Sequence, residues 1–452
     1  MKENKKIFQK TSNSNKGITL VALVITIVIL IILATVAINF AFGNNGLINR
    51  AEDAKEYYAN DTAYTEEALS NVESYIDGII GENGGGSEGA SDPTEQVATA
   101  ITTITKGEIF SETTKVSDAN GDVFYVPGGF GIAEDSPNEI DDGIVITNEG
   151  DTKQFVWIPV NDGSLANMYQ TESTEAITLP VELSKSTLGE NATTTSVYSN
   201  LRKRSGDSYS ITAPGANTGI REPDILTSTS TGDAVTGTST KGIEQIKSVL
   251  GISGSTNAEV LKNYAQNLVD EYNATYQSIQ KYDGFYIGRY EITGSVDAPT
   301  VQKDGTVITS QNWYNLKKAC TNVVSTEYAQ STMVYGNQWD EVMSWLIATG
   351  DKTEPQVNTN SADWGNYNNS TGAAATYSGS KQTAGKNEAW QANNIYDLAG
   401  NCWEWTQEAF DPNGRVRRGG NSYGSGSSSP ASDRLPVDSS SNGSSRPALY
   451  IK

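Results

Sequence analysis

The first apolar feature of the chain is unbroken rather than periodic. Ile18–Phe42 reads ITLVALVITIVILIILATVAINFAF, and no charged residue occurs from Gly17 to Asn49. As a helix rising ~1.5 Å per residue, the run spans roughly 37 Å, enough to cross a bilayer. It is longer than the apolar core of about 7–15 residues in a cleaved secretory signal. Lys2, Lys5, Lys6, Lys10 and Lys16 precede it, which assigns residues 1–17 to a basic cytoplasmic leader by the positive-inside rule. The pattern then changes to helical spacing. Ala54, Tyr57, Tyr58, Tyr64, Ala68, Leu69, Val72, Ile76 and Ile79 fall on one face, with acidic side chains opposite. This predicts one long transmembrane and stalk helix over residues 18–80, which the stretch Gly43–Gly46 breaks or kinks. GENGGGSEGASDP (Gly81–Pro93) is flexible by composition, and residues 81–107 are read as a linker.

Beyond the linker the periods shorten. From Asp122 the bursts DVFYVPGGF, DGIVITNEG and QFVWIPV alternate with turn residues, as short strands do. Residues 165–241 are rich in Ser, Thr, Gly and Asn and read as a low-complexity insertion. Helices are predicted over Gly242–Leu250 and Asn257–Lys281, and an alternating strand over Gly284–Thr293. Thr332–Ile347 leads into an amphipathic helix. The expected fold class is α+β, with a head over residues 108–452 that has short strands, two or more helices and much irregular structure.

Composition narrows the function. The chain has 452 residues, too many for one compact core, with 22 Tyr, 8 Trp and 43 Gly. Such a mix suits strands and turns. A net charge of −22 argues against nucleic acid, since nothing here neutralises a phosphate backbone. The absence of histidine removes the usual general base and the commonest zinc ligand. Cys320 and Cys402 allow one disulfide at most.

Two resemblances organise these observations. NKGITLVALVITIVILIILA resembles the start of type IV pilins and pseudopilins. That resemblance implies cleavage between Gly17 and Ile18 by a prepilin peptidase, methylation of the new N-terminus, and other pilin subunits as partners. The family's acidic residue, five positions into the mature chain, is Ala22 here; the group that pairs with a neighbouring subunit's N-terminus is missing. A plain signal anchor is the alternative reading.

In the head, FVWIPV (Phe155–Val160), GFYIGRYEIT (Gly284–Thr293), NQWDEVMSWL (Asn337–Leu346), YDLAGNCWEWT (Tyr396–Thr406), RRGGNSY (Arg417–Tyr423) and SRPALYIK at the end occur in that order. Together they resemble the formylglycine-generating enzyme, or sulfatase-modifying factor, domain, a variant of the C-type lectin fold. Trp157, Trp339, Trp403 and Trp405 are then core anchors for a domain with little regular structure. The family's oxidase uses a cysteine pair near the segment that reads RRGGNSYGSGSSSPASDRLPVDSSSNGSSRP here, and this segment has no cysteine. With no thiolate pair and no imidazole, the reading is a protein that is not an enzyme. The resemblance also implies structural Ca²⁺ at the GNxWEW loop, with carboxylates from Asp397 and Glu404 and main-chain oxygens from Gly400 and Cys402. The alternative is that Asp397 caps a turn and Glu404 pairs with an arginine such as Arg418 or Arg434.

Residues 418–452 form the candidate ligand-binding segment. Some proteins of this lectin subclass are targets of diversity-generating retroelements, which mutate template adenines and convert Asn codons. Asn421, Ser422, Tyr423, Ser425, Ser427, Ser428, Ser429, Asp433, Asp438, Ser439, Ser440, Ser441, Asn442 and Ser444 belong to the set such conversion reaches. Small polar residues with tyrosine also make an adaptable binding surface. The expected function is display of a protein- or glycan-binding head outside the membrane, at the cell surface or on a pilus. A structural minor pilin or pseudopilin subunit is the alternative from another class, and a sulfatase-modifying-type oxidase, which the missing cysteine pair argues against, is the third reading.

Overall fold

The computed structural model divides into two compact units, Met1–Ala90 and Ser91–Lys452. It describes residues 92–161, 164–165, 168, 241–409, 415–437 and 443–452. The leader, the cleavage pair Gly17 and Ile18, the helix over residues 18–80 and most of the insertion over 165–241 lie outside the described residues. Among the described residues no helix is long and apolar enough to cross a membrane.

The second unit is a mixed α+β domain. Its strands are β1 (Thr99–Ala100), β2 (Thr114–Ser117), β3 (Val123–Val126), β4 (Phe130–Ile132), β5 (Val145–Asn148) and β6 (Gln154–Pro159). After the insertion come helices α1 (Lys241–Ser248) and α2 (Asn257–Tyr282), then β7 (Gly284–Gly288), β8 (Thr293–Ser295) and β9 (Ala298–Thr300). Next are α3 (Trp313–Thr321), β10 (Ala329–Met333), α4 (Gly336–Ala348) and α5 (Glu354–Asn358). The chain ends with β11 (Gln391–Ala392), β12 (Ile395–Tyr396), β13 (Trp403–Ala409), β14 (Arg415–Arg418), β15 (Arg434–Val437), β16 (Gly443–Ser445) and β17 (Pro447–Ile451). Unit two starts at Ser91, and Ile101 is buried beside β1, which pairs with β2. The expected linker therefore ends earlier, and residues 92–107 belong to the head.

The main sheet has six antiparallel strands in the order β10-β17-β7-β6-β5-β4. All five residues of β7 are buried. The expected alternation fails there because the strand lies between β17 and β6 with both faces covered, and such strands read as continuous apolar runs. Helix α2 packs on β7 and β17. It begins where Thr256 Oγ1 accepts the Glu259 amide, while Glu259 reaches back to the Ser255 amide. It stops at Asp283, whose φ of 56° leaves the helical region. Leu261, Tyr264, Ala265, Leu268, Tyr272 and Ile279 form its buried stripe.

A second sheet, β15-β14-β13-β16, carries the C-terminal motifs; β13 and β16 run parallel and the other pairs antiparallel. Trp157, Trp313, Trp339, Trp390 and Trp405 are fully buried, and Trp403 nearly so. Three of them also act as pegs: Trp339 Nε1 donates to Ala431 O (3.0 Å), Trp313 Nε1 to Thr406 O (2.8 Å) and Trp390 Nε1 to Ala374 O (2.9 Å). The expected tryptophan anchors are core residues.

Candidate functional site

The loop from β12 to β13 is built from backbone turns that few residue types accept. Asp397, Gly400 and Asn401 have φ of 60°, 82° and 54°. At Gly400 a Cβ would sit 2.1 Å from Asn366 O, so only glycine allows this approach. Its amide donates to Gly419 O (2.7 Å), which joins the GNxWEW loop to the RRGG segment. Asn401 Oδ1 accepts from Asn366 Nδ2 (3.0 Å) and the Gln382 amide (2.9 Å).

Three buried carboxylates face this loop. Asp397 Oδ2 accepts the Gly385 amide (2.7 Å), and its Oδ1 has no partner. Glu291 accepts the Cys402 amide on Oε1 (3.1 Å) and Asn401 Nδ2 on Oε2. Glu404 is bound through both oxygens by Arg446, at 3.0 Å to Nε and 2.6 Å to Nη2. Burial, then the charges of Asp397 and Glu404, push Glu291 far above the usual carboxylate range. Burial lifts Asp397 to about 7. Burial also lifts Glu404, against the opposing pull of Arg446.

Asp397 and Glu404 thus lie in one cluster, and the cluster includes Glu291, which no sequence spacing pointed to. Both alternatives weighed for these residues are present in the geometry. Asp397 holds a turn amide and Glu404 pairs with an arginine, although that arginine is Arg446. Arg418 instead pairs with Asp340 and Glu408, and Arg434 with Glu408. As a calcium centre the set fits poorly, since Glu404 is committed to a guanidinium and only Asp397 Oδ1 is an open carboxylate oxygen. Ca²⁺ takes 6–8 oxygen ligands.

Cys320 and Cys402 are both buried free thiols. Burial pushes Cys320 up to about 12 and Cys402 far above the thiol range, so neither is a reactive thiolate.

The candidate binding segment over residues 418–452 turns at Gly419 and Gly420, with φ of 84° and 80°. Asn421 Oδ1 accepts the Gly424 amide (2.8 Å), closing a turn that presents Tyr423 with 70% of its surface exposed. Ser427 and Ser428 are exposed, and Asn421, Ser425 and Ser429 are half-buried. Ser422, Asp433 and Ser444 are buried at 0%, 2% and 0% exposure. These three contradict their expected place on a ligand-binding face: Ser444 is held in the paired strand β16, Ser422 follows the Gly-Gly turn, and Asp433 sits in a turn where its amide donates to Pro430 O (2.8 Å). Asp438, Ser439, Ser440, Ser441 and Asn442 lie outside the described residues.

The segment rests on residues 361–370, which sequence reading missed. Asn368 holds it twice, amide to Gly424 O (2.9 Å) and Nδ2 to Tyr423 O (2.8 Å). Asn369 Oδ1 accepts the Gly426 amide (2.9 Å), the Ser361 amide donates to Gly426 O (3.0 Å), and Ser361 Oγ accepts the Ala431 amide (3.0 Å). The run GNYNNS was the available signal, since asparagine side chains bond neighbouring backbone in turns. The arrangement is a clamped backbone with outward tyrosine and serine side chains. Compared with family models, curated proteins and solved structures, the chain matches none of them.

Proposed function

We propose that the chain is a non-catalytic display protein, anchored in a membrane through residues 18–80, whose lectin-type head binds a protein or glycan ligand through the Asn421–Ser429 face. One observation carries the reading: Tyr423, Ser427 and Ser428 project from a backbone that residues 361–370 hold at five hydrogen bonds, three from side chains and two from main-chain amides. A rigid support with exchangeable outward side chains loses little entropy on binding. Retroelement diversification of these codons belongs to the same proposal, as does processing at Gly17–Ile18.

The test is a solid-phase screen of the purified head against defined glycans and surface proteins. A saturable signal that Tyr423→Ala abolishes and Val97→Ala, at another exposed position, preserves is the expected result. A signal indifferent to Tyr423, or lost equally in both variants, removes the face from the proposal. Deep amplicon sequencing of the codons for residues 421–445 in one population tests diversification.

A further inference from the structure

Away from the acidic loop, the core holds a lysine in an unusual setting. Lys317, on α3, has a side chain only 7% exposed, and Glu271, on α2, 19%. Lys317 Nζ donates to both oxygens of Glu271 and to Thr332 Oγ1 (2.8 Å). Gln407, on β13, donates its Nε2 to the same Glu271 Oε1 (2.7 Å), the same Thr332 Oγ1 (2.9 Å) and Met333 O (3.0 Å). Three acceptors around one atom fix which amide atom is nitrogen. Thr332 and Tyr335 hydroxyls also donate to Glu271 Oε1, at 2.6 and 2.9 Å. An amine, a carboxylate and a primary amide therefore meet in a largely buried site, with amine and amide nitrogens resting on two shared acceptors.

We propose that Lys317 and Gln407 are joined by an intramolecular isopeptide bond, formed autocatalytically with Glu271 as the proton-transfer residue. Glu271 first takes a proton from the Lys317 ammonium. Burial pulls the lysine below its usual range against the attraction of Glu271, while against burial the charge of Lys317 and the donors around it hold Glu271 below the ordinary carboxylate range. The neutral Nζ then attacks Gln407 Cδ, and the C=O π pair moves to oxygen. Glu271 returns the proton to Nε2, the Cδ–Nε2 bond breaks and the carbonyl re-forms. The remaining extra proton of Nζ passes through Glu271 to the released ammonia. Lysine ammonium and glutamine amide become a secondary amide and ammonium; Glu271 ends as the carboxylate it began as, and nothing is oxidised or reduced. Lys317 Nζ and Gln407 Nε2 donate to the same two oxygens, Glu271 Oε1 and Thr332 Oγ1, and from that shared pair the amine and the amide carbon must close to the ~3–3.5 Å of a reacting pair.

The bond would tie α3 to β13 through the centre of a head whose two cysteines are both free. It goes beyond ligand binding: it is a covalent staple where disulfides are absent.

The experiment is tryptic digestion and tandem mass spectrometry of the full-length chain, denatured after purification. The expected product is a branched peptide linking the Lys317 and Gln407 segments, lighter by one ammonia than the two together, with no cleavage after Lys317. The Glu271→Gln chain should give two linear peptides of full mass. A wild-type digest with cleavage after Lys317 and an intact Gln407 overturns the proposal, whatever the variant does. A branch that has lost water and joins Lys317 to Glu271 overturns the assignment of Gln407. A normal branch in Glu271→Gln overturns the role of Glu271.

Discussion

Arg446 grips Glu404 through Nε and Nη2, at 3.0 and 2.6 Å, and solvent reaches neither side chain. The same guanidinium donates from Nη1 to Gly288 O (2.8 Å) and from Nη2 to Tyr396 O (2.8 Å). One residue thus ties the end of β7, the end of β12 and the start of β13 to the junction of β16 and β17. A buried charge whose three guanidinium nitrogens all donate is where one substitution leaves the most behind.

Arg446→Met strands Glu404 without a partner among two other carboxylates. Removing one member of such a pair costs about 3–5 kcal/mol. The double variant Arg446→Met with Glu404→Gln removes the stranded charge and should recover part of the loss. Urea unfolding of the head followed by tryptophan fluorescence measures both. Equal stability of the single and double variants would mean that Glu404 is neutral in the fold without Arg446.

Arg446 also bears on calcium. It already supplies the positive charge that a cation beside Glu404 would bring. A ligand that binds only the folded state raises its melting temperature. Chelation should therefore leave the melting temperature of the head unchanged. A fall on adding EDTA that Ca²⁺ reverses and Mg²⁺ does not would restore the calcium site at Asp397 and Glu404.

These residues also mark what the sequence could and could not convey. The helix predicted over Asn257–Lys281 is observed over Asn257–Tyr282, because a cap, a 3.6-residue stripe and an Asp stop are all local signals. The tryptophans were readable as core for a similar reason: few other roles suit so many bulky rings among turns. The partners of the GNxWEW loop were not readable. Glu404 meets Arg446 across 42 residues and Cys402 meets Glu291 across 111, distances at which spacing carries no information. Ser422 shows the same limit at short range. Its neighbour Tyr423 is exposed, yet Ser422 turns inward because its amide donates to Asn401 O (3.1 Å) in the loop beneath.

The thiols give a prediction tied to pH. Burial raises both above the thiol range, Cys320 to about 12, so the folded state favours the protonated form over the unfolded one. That preference is fully present below the ordinary thiol value and is lost as pH rises toward 12. Iodoacetamide at pH 8 should label neither cysteine in the folded head and both in denaturant, as read by mass spectrometry. Rapid labelling of Cys402 in the native protein would show that the loop opens.

The binding face yields the sharpest test, because it divides residues that look alike in sequence. Tyr423, Ser427 and Ser428 make no side-chain contact that the core requires, so substitution there should change stability by no more than about 0.5 kcal/mol. Ser422 and Ser444 have 0% exposure, and their Oγ atoms are buried without partners. A larger side chain at either has no room, and overpacking of this kind costs about 1–3 kcal/mol. Asp433 is also buried, close to Arg418, whose charge opposes the upward push of burial on its carboxyl. A saturation library over residues 421–445, sorted for protease resistance of the displayed head, should accept most residues at 423, 427 and 428 and only small ones at 422 and 444. If the population variants of the gene follow the same division, diversification is confined to what the fold can carry. Free substitution at 422 and 444 would instead mean that the Gly419–Gly420 turn re-forms around each new side chain, and the face would then be larger than the exposed residues define.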